Sequence, residues 1–149
     1  MKNLEILNRK VNHDYFIIDT LECGIELKGN EVKSIKNGNC NISDAFCQIH
    51  NNQLTIVNMY IAKWETSNLY DILGERRERR LLAHKNEIIK FNNKIAIDGY
   101  TIIPIKIYTV NGKIKVLIGL CKGKHNYDKR QSLKDRDIKR DVDRTLKTL

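Results

Sequence analysis

Apolar and polar residues alternate most clearly in the segment TIIPIKIYTVNGKIKVLIGL, which spans residues 101–120. Its two halves meet at Asn111-Gly112, a dipeptide that supplies the positive φ angles of a type I′ turn, so the segment predicts a β-hairpin. Pro104 has no N–H for the sheet ladder and should therefore lie at an edge or a bulge. Seven alternating side chains are expected to face the core: Ile103, Ile105, Ile107, Ile114, Val116, Ile118 and Leu120.

Strand patterns also precede this hairpin. HDYFIIDTLECGIEL, from His13 onward, is rich in β-branched and aromatic residues and predicts one long strand, with a bend available at Gly24. AFCQIHNNQLTIVNMYI predicts a second hairpin that turns at Asn51-Asn52, because asparagine tolerates positive φ. Closure into a barrel would remove the exposed edges of five or six such strands. The predicted fold is therefore mainly β: an OB-like closed antiparallel six-stranded barrel with two or three accessory helices.

Two internal segments have helical character. In GNEVKSIKNG, Asn30 is the expected N-cap of a short helix and Gly38 its expected end. In RRERRLLAHKNEIIKFNNKI, apolar residues from Leu81 to Ile95 recur at roughly helical spacing. Cations oppose the macrodipole at a helix N-terminus, so Arg76–Arg80 are expected in the loop before this second helix.

Charge is distributed unevenly along the chain. Its 149 residues, which fit one domain, contain 27 Lys and Arg against 18 Asp and Glu, a net charge of +9. Residues 122–149 contain 10 Lys and Arg against 5 Asp, so +5 of this charge lies in the last 28 residues. Such a charge attracts polyanions, either nucleic acid or an anionic membrane surface. We therefore divide the chain into a barrel, residues 1–121, and a basic C-terminal tail, residues 122–149.

The tail predicts a helix that is too weak to stand alone. Ser132 and Asp135 have the spacing of a capping box, and a thin line of apolar residues runs from Ile138 to Leu149. A helix of about fifteen residues is marginal in water, so the free tail is expected to be disordered and to become helical when bound to a polyanion. The alternative is a helix that packs its apolar line on its own barrel. The mixture of cationic and aromatic residues in GKHNYDKR is typical of single-stranded RNA contacts.

Other classes of function find little support. The four cysteines form no CxxC pair, and the cysteines and histidines lack the tight grouping of a zinc site, so none is expected. Asp and Glu are scattered rather than clustered for metal-dependent catalysis, and no glycine-rich phosphate loop is present. The N-terminal segment has no apolar signal region, and no later segment has the length that spans a bilayer. We expect a cytoplasmic monomer without catalytic site, metal, cofactor or membrane partner.

Several blocks of the sequence, taken in order, belong to a known pattern. They are NRKVNHDYFI, ECGIELKGNEVKSIKNGNCNISDAF, NMYI, RRLLAHKNEI and GLCKGKHNYDKR, followed by the charged helix. Over essentially its whole length the chain resembles the SmpB family of SsrA-binding proteins. The resemblance implies an OB-like barrel that binds the tRNA-like domain of transfer-messenger RNA, with elongation factor Tu as an indirect partner through the RNA. It also implies a tail that enters the decoding centre and the empty messenger channel of the small ribosomal subunit.

The resemblance assigns two groups of contact residues. The residues expected to bind transfer-messenger RNA are Asn8, Tyr15, Glu22, Lys33, Arg79, Leu82 and Lys85. Tyr15 can stack, the cations can hold phosphates, and Glu22 can accept from base amino or ribose hydroxyl groups. The residues expected to bind the ribosome are Lys124, Tyr127, Asp128, Lys129, Arg130, Lys134, Arg136, Lys139 and Arg140. For Tyr15 and Leu82 the alternative is a place in the barrel core.

The chain departs from the family pattern at two places. Many members have histidine where this chain has Tyr127, which keeps ring stacking available but excludes an imidazolium charge. The family usually has a proline and spaced arginines before its LLLHK segment, whereas this chain has NLYDILGERRERRLLAHK. The predicted function is an RNA-binding adaptor without catalytic activity that delivers transfer-messenger RNA to stalled ribosomes for trans-translation. The alternative is a general single-stranded RNA-binding OB module or a ribosome-associated protein, in which the tail adds only affinity.

Overall fold

The computed structural model describes residues 4–63 and 74–124 of the chain. These residues contain nine strands and three helices. The strands are β1 (Glu5–Leu7), β2 (Tyr15–Ile25), β3 (Cys40–Asn41), β4 (Phe46–His50), β5 (Gln53–Val57), β6 (Tyr60–Ile61), β7 (Arg79–Leu82), β8 (Thr101–Val110) and β9 (Lys113–Gly123). The helices are α1 (Val11–Asp14), α2 (Gly29–Lys36) and α3 (Lys85–Asp98). The predictions for tail residues 125–149 lie outside the described residues.

Six of the strands close into a ring. They pair antiparallel in the order β8, β4, β5, β7, β2 and β9, and β9 returns to β8. β1 adds to β8 as a seventh strand, and β3 pairs with β6 in a separate two-stranded sheet. Closure gives each ring strand a partner on both sides. The predicted mainly β fold, with six antiparallel strands that close on themselves, is confirmed.

Both predicted hairpins are present. β4 and β5 are joined at Asn51 and Asn52, whose φ angles are 51° and 60°. β8 and β9 are joined at Asn111, with a φ of 51°, and Gly112, with a φ of 78°. Positive φ at both central positions gives a turn whose hand matches the twist of the flanking strands, and asparagine and glycine reach it at low cost.

A bulge in β8 changes which isoleucines face the core. The register with β9 shifts between Pro104 and Lys106, as expected for a proline that cannot donate to the ladder. One extra residue reverses the alternation of side chains. Ile107 therefore packs inside the ring, while Ile103 and Ile105 pack outside it, in a second cluster to which α1 contributes. The prediction that Ile103 and Ile105 face the main core is wrong.

A second bulge determines the direction of two predicted RNA contacts on β2. The register with β9 shifts between Ile17 and Asp19. Tyr15 and Glu22 are seven residues apart, so in a regular strand they would point to opposite faces. The extra residue places them on one face, because their partners on β9, Gly123 and Leu117, are six residues apart.

The short helix α2 begins earlier than its sequence predicts. It starts at Gly29 with Lys28 as N-cap, two residues before the expected cap at Asn30. The Glu31 carboxylate accepts the Lys28 backbone N–H at 2.9 Å, which satisfies one of the free donors at this end of the helix. As predicted, the helix ends before Gly38, whose φ is 79°.

Strand pairing removes the first turn of the helix predicted over the apolar residues from Leu81 to Ile95. Leu81 and Leu82 lie in β7, which pairs with β5 on one side and β2 on the other. Long-range pairing outweighs local helix propensity here. α3 begins only at Lys85. Arg79 and Arg80 correspondingly belong to a strand rather than to the expected loop.

The core lies inside the ring. Inward side chains of all six ring strands form it, together with Ile35 from α2 and Ile88 and Phe91 from α3. Burial of a large aliphatic or aromatic side chain stabilises a fold by about 1.5–3 kcal/mol, so these three residues anchor both helices. No helix among the described residues is long and apolar enough to cross a membrane.

Candidate RNA interface

Side chains from four neighbouring ring strands form one solvent-accessible surface, which we call the outer face. Because side chains alternate across a strand, the register of β7, β2, β9 and β8 places them on the side opposite the core. The outer face contains two predicted RNA contacts, Glu22 and Leu82. It also contains four residues that the sequence analysis did not single out: Lys106, Tyr108, Lys115 and Leu117.

Leu82 belongs to the outer face and not to the core. Its side chain is 46% exposed and lies over Gly24, where an added Cβ would come within 3.3 Å of the Leu82 Cβ. Glu22 is two residues from Gly24 on the same side of β2, which is about 7 Å along the strand. The structure therefore brings these two predicted contacts together.

Tyr108 organises the centre of the outer face. Its hydroxyl donates a hydrogen bond to Glu22 Oε2, and the Lys106 ammonium lies 5.1 Å from the centre of its ring. Lys115 is its cross-strand neighbour on β9. Burial and the hydrogen bond to Glu22 raise the pKa of Tyr108, so the phenol remains a neutral donor. One surface thus combines a ring that can stack, two cations that can hold phosphates and an oriented carboxylate that can accept from hydroxyl or amino groups.

A groove of about 420 Å³ continues the outer face toward α2. Leu82 and Val32 of α2 line it, together with Lys113 and Lys115 of β9. The predicted contact Lys33 is exposed on the same helix. The groove therefore connects the outer face with the helix on which another predicted cation lies.

Tyr15 lies at the other end of β2, beside a separate cavity of about 260 Å³. It is seven residues from Glu22, or about 23 Å along the strand. Its half-buried ring packs against the second cluster, and Phe46, which is 41% exposed, lines the same cavity. An RNA that contacts both Tyr15 and Glu22 must therefore extend along nearly the whole of β2.

Asn8, one of the predicted RNA contacts, is buried in the described structure. It is 5% exposed, and its amide donates to the carbonyl oxygens of Pro104 at 2.9 Å and Ile42 at 3.4 Å. Its Oδ1 accepts the Lys10 backbone N–H at 3.3 Å. These internal bonds occupy the side chain, so Asn8 ties the N-terminal segment to β8 and supports the cavity beside Tyr15.

Arg79, which is predicted as an electrostatic neighbour of the RNA, is also buried. Its side chain is 0% exposed, and each of its five N–H groups has an acceptor. The acceptors are Glu31 Oε2 at 2.6 Å and the carbonyl oxygens of Met59 at 2.7 Å, Gly74 at 2.8 Å, Arg77 at 3.1 Å and Glu75 at 3.1 Å. Arg79 therefore holds α2, β6 and the segment before β7 together.

Arg80, and not Arg79, is the exposed arginine of β7. It lies two residues from Leu82 on the same side of the strand and is opposite Thr55 of β5. The run RRERR does not by itself reveal which arginine faces inward. The signal becomes readable once β7 is known to be a strand, because Leu81 must face the core and Arg79 shares its side. Lys85 is exposed at the start of α3, as its predicted role requires.

The two preceding arginines are held by neighbouring side chains. Arg76 Nη1 donates to Asn58 Oδ1 at 3.0 Å, and its guanidinium lies 5.4 Å from the centre of the Tyr60 ring. Arg77 forms an ion pair with Glu31, the residue that also receives Arg79. Both arginines lie in the part of the chain that departs from the family pattern, and both contact other side chains of the protein itself.

The four cysteine side chains are buried or half-buried. All four cysteines are free, and burial raises the pKa of Cys23 and of Cys40 to about 12, so both remain protonated at neutral pH. Within the described ranges, no group of three or more His, Cys, Asp or Glu side chains could hold a metal ion.

Lys124 is the one predicted ribosome contact within the described residues. Its ammonium donates to the Asn12 carbonyl oxygen at 2.8 Å and lies 4.8 Å from the centre of the Phe16 ring. The remaining contacts lie outside the described residues and stay predictions: Tyr127, Asp128, Lys129, Arg130, Lys134, Arg136, Lys139 and Arg140.

Comparisons with known proteins identify the family. The family model described as SmpB protein matches residues 5–148. An SsrA-binding protein of Clostridium beijerinckii is 45% identical over 140 residues, which cover 94% of this chain and 89% of that protein. One of Staphylococcus haemolyticus is 48% identical with the same coverage. A solved structure described as "tmRNA-SmpB: a journey to the center of the bacterial ribosome" has 37% identity and a TM-score of 0.68, over 87% of this chain and 94% of that chain. With its six-stranded ring and a family match over nearly its full length, the chain belongs to the SmpB protein family.

Proposed function

We propose that this chain is an RNA-binding adaptor for ribosome rescue. It binds the tRNA-like domain of transfer-messenger RNA through its ring and delivers that RNA to stalled ribosomes for trans-translation. The observation that carries the proposal is the outer face, where Tyr108 orients Glu22 between Leu82 and the two cations Lys106 and Lys115. The similar solved structure, which is described as tmRNA with SmpB in the bacterial ribosome, supports this choice of RNA and of destination.

The chemistry of the outer face suits folded RNA. A carboxylate such as Glu22 is repelled by phosphates unless it gains hydrogen bonds from ribose hydroxyl or base amino groups. Double-stranded RNA displays such hydroxyl groups across its wide, shallow minor groove. Lys106, Lys115 and Arg80 offer cations on the same side of their strands for neighbouring phosphates, and Tyr108 offers a ring for an unstacked base.

The proposed function divides the chain into two working parts. Residues 1–121 bind the RNA, and residues 122–149, with +5 of the total charge, bind the small ribosomal subunit at its decoding centre and messenger channel. Elongation factor Tu is an indirect partner through the RNA. In this role the protein acts in the cytoplasm as a binding adaptor and performs no reaction of its own.

The test separates the two parts by truncation. A chain that ends at Lys124 keeps β9 intact, because the Lys124 backbone N–H still reaches the Asp14 carbonyl oxygen. We expect this variant to bind transfer-messenger RNA with a Kd within about twofold of the full chain and to lose tagging on stalled ribosomes. Its counterpart, the full chain with Lys106→Met and Lys115→Met, should bind the RNA at least about tenfold more weakly, because two phosphate contacts are lost.

Parallel losses would contradict the proposal. If truncation weakens RNA binding and tagging to the same extent, the tail contributes only affinity. A general single-stranded RNA-binding module or a ribosome-associated protein would then describe the chain better. Competition between transfer-messenger RNA and an unstructured RNA of equal length distinguishes the adaptor from a general single-stranded RNA-binding module, since the adaptor must prefer the folded RNA.

A further inference from the structure

We propose that four residues around the end of β9 form a clamp that sets where the C-terminal tail leaves the six-stranded ring. In this clamp Lys124 acts as a positioning residue rather than as a ribosome contact. The clamp consists of Asn12, Asp14, Phe16 and Lys124. The proposal rests on the proposed function, because the position of the tail matters only if the tail acts on the ribosome.

The backbone part of the clamp extends the pairing of β9 beyond the ring. β9 runs alongside β2 to its first residues, with Lys122 opposite Phe16 and Gly123 opposite Tyr15. The next residue continues this ladder into α1, because the Lys124 N–H donates to the Asp14 carbonyl oxygen at 2.9 Å. Within the described residues, this backbone bond beyond β9 is therefore made to a helix and not to a ring strand.

The Lys124 side chain caps the same helix. Its Nζ donates to the Asn12 carbonyl oxygen at 2.8 Å. This oxygen belongs to the last four carbonyl groups of α1, which helix geometry leaves without intrahelical donors. Backbone and side chain of Lys124 thus hold two successive parts of α1.

An aromatic ring completes the clamp from β2. The Lys124 ammonium lies 4.8 Å from the centre of the Phe16 ring, within the range of a cation–π interaction. Phe16 remains 42% exposed, so core packing alone does not explain its position. The Phe16 side chain thus gives the Lys124 ammonium a favourable site at the protein surface. Together the three contacts restrict both the backbone and the side chain of Lys124.

Because the clamp restrains Lys124, it limits where the predicted decoding-centre residues can lie. An extended chain covers at most about 3.6 Å per residue, so Tyr127 can lie no more than about 11 Å from Lys124, and Arg130 no more than about 22 Å. If the clamp opened back to Lys122, each limit would grow by about 7 Å. The clamp would therefore concentrate Tyr127–Arg130 within a smaller volume beside the ring.

The experiment compares variants that open the clamp in chemically different ways. Phe16→Leu removes the aromatic face without changing charge, and Lys124→Met removes the ammonium while keeping the length of the side chain. Lys124→Arg keeps a cation and a donor. Lys90→Met is the matched control, because it removes the same charge from an exposed residue of α3 that belongs to neither predicted contact group. Each full-length protein is assayed for transfer-messenger RNA affinity and for the tagging rate on stalled ribosomes, below its measured Tm.

We expect Phe16→Leu and Lys124→Met each to lower the tagging rate by about 2- to 5-fold, the range that corresponds to a cation–π contact at an exposed site. RNA affinity should stay within about twofold of that of the unaltered chain. The double variant should be no slower than either single variant, because both changes open one contact. Lys124→Arg should retain tagging, and so should Lys90→Met.

A distance measurement tests the clamp without relying on activity. Spin labels on non-natural amino acids at Asn52, in the exposed hairpin turn, and at Gln131, in the tail, report the separation of ring and tail in the free protein. Phe16→Leu and Lys124→Met should broaden the distance distribution, whereas Lys90→Met should leave it unchanged. A purely structural role of either residue would change Tm without broadening this distribution.

The outcomes separate the two proposals. If the unaltered chain fails to bind transfer-messenger RNA or to support tagging, the proposed function fails, and the distance measurement alone decides on the clamp. If the unaltered chain tags normally but neither clamp variant alters tagging or the distance distribution, the clamp is overturned. A loss of tagging in Lys124→Met without any loss in Phe16→Leu would also overturn it, because Lys124 would then be a phosphate contact on the ribosome.

Discussion

The two arginines at the start of β7 have opposite environments because strand side chains alternate. Arg79 points inward, where Glu31 and four carbonyl oxygens take all of its N–H groups. Arg80 points outward on the side of Leu82, at the border of the outer face. A change of charge at one position should therefore affect the stability of the fold, and at the other the binding of RNA.

Arg79→Met should destabilise the fold by about 3–5 kcal/mol, because it leaves a carboxylate and several carbonyl groups buried without their partner. Arg80→Met, the same substitution one residue later, should change the free energy of unfolding by less than about 0.5 kcal/mol. It should instead weaken RNA binding and reduce the slope of log K against log salt by about 0.9, one phosphate contact. Urea unfolding and salt-dependent RNA titrations measure both quantities. Equal stability losses in the two variants would refute the assignment.

We predict that Tyr108 affects RNA binding through Glu22, to which its hydroxyl donates a hydrogen bond. Tyr108→Phe removes the hydroxyl donor but keeps the ring, so stacking and the contact with Lys106 remain. We expect about a 3- to 10-fold loss of affinity for transfer-messenger RNA, the range that corresponds to one hydrogen bond. In a Glu22→Ala background the same change should have no further effect, since no carboxylate is left to orient.

Tyr60→Phe is the control for this cycle, because Tyr60 lies on β6, away from the outer face. Its RNA affinity should equal that of the unaltered chain. Additive losses from Tyr108→Phe and Glu22→Ala would show that the two side chains contact the RNA independently, and Tyr108 would then not act by positioning.

At the scale of elements, the attachment of α2 to the ring depends on one carboxylate. Burial by itself would raise the pKa of Glu31, but hydrogen bonds from Arg77, the Lys28 backbone and Arg79 outweigh it and hold the pKa below its ordinary value of 4.5. Glu31 accepts the Lys28 N–H at the start of α2 and the Arg79 Nε from β7. The ionised form of Glu31 is therefore the one that joins the helix to the strand.

This shift predicts how stability depends on pH. A carboxyl group with a lowered folded-state pKa contributes stability in full above its unfolded pKa, and the contribution disappears as the pH falls through the folded value. The difference in unfolding free energy between the unaltered chain and Glu31→Gln should therefore be largest near pH 7 and should narrow progressively below about pH 4.5. Urea unfolding at a series of pH values measures it.

Glu78→Gln provides the comparison, because Glu78 is exposed and Gln48, which donates a hydrogen bond to its carboxylate, is exposed as well. Its stability difference from the unaltered chain should stay small at every pH. A gap between the unaltered chain and Glu31→Gln that does not change from pH 7 to pH 3 would show that charge on Glu31 does not hold α2.

At the scale of the whole molecule, the features that depend on local chemistry are the predictable ones. Asn51-Asn52 and Asn111-Gly112 indicate their turns directly, because positive φ is a property of the dipeptide itself. The two bulges are different. The shift between Ile17 and Asp19 and the shift at Pro104 depend on pairing with β9, so only the second, with its missing N–H, has a local signal.

The candidate interface likewise combines residues that the sequence indicates and residues that only long-range strand pairing brings together. Glu22 and Leu82 can be assigned from the sequence blocks that carry the family resemblance, and the structure places both on the outer face. Tyr108 is 86 residues from Glu22, and no pattern along the chain links them. Arg79 and Arg80 could not be told apart either, because RRERR fits a loop, a helix or a strand until β5 and β2 pair with β7.

Ring closure determines which partner must adapt when protein and RNA meet. Every ring strand is hydrogen-bonded on both sides, so the separation between Glu22 and Tyr108 is set before any RNA arrives. Little conformational freedom is then lost on the protein side of the complex. A folded RNA that already matches this rigid plate docks without rearrangement, whereas a flexible strand must surrender its own entropy to do so. Stiffness in the protein thereby favours pre-shaped RNA even where no base is read.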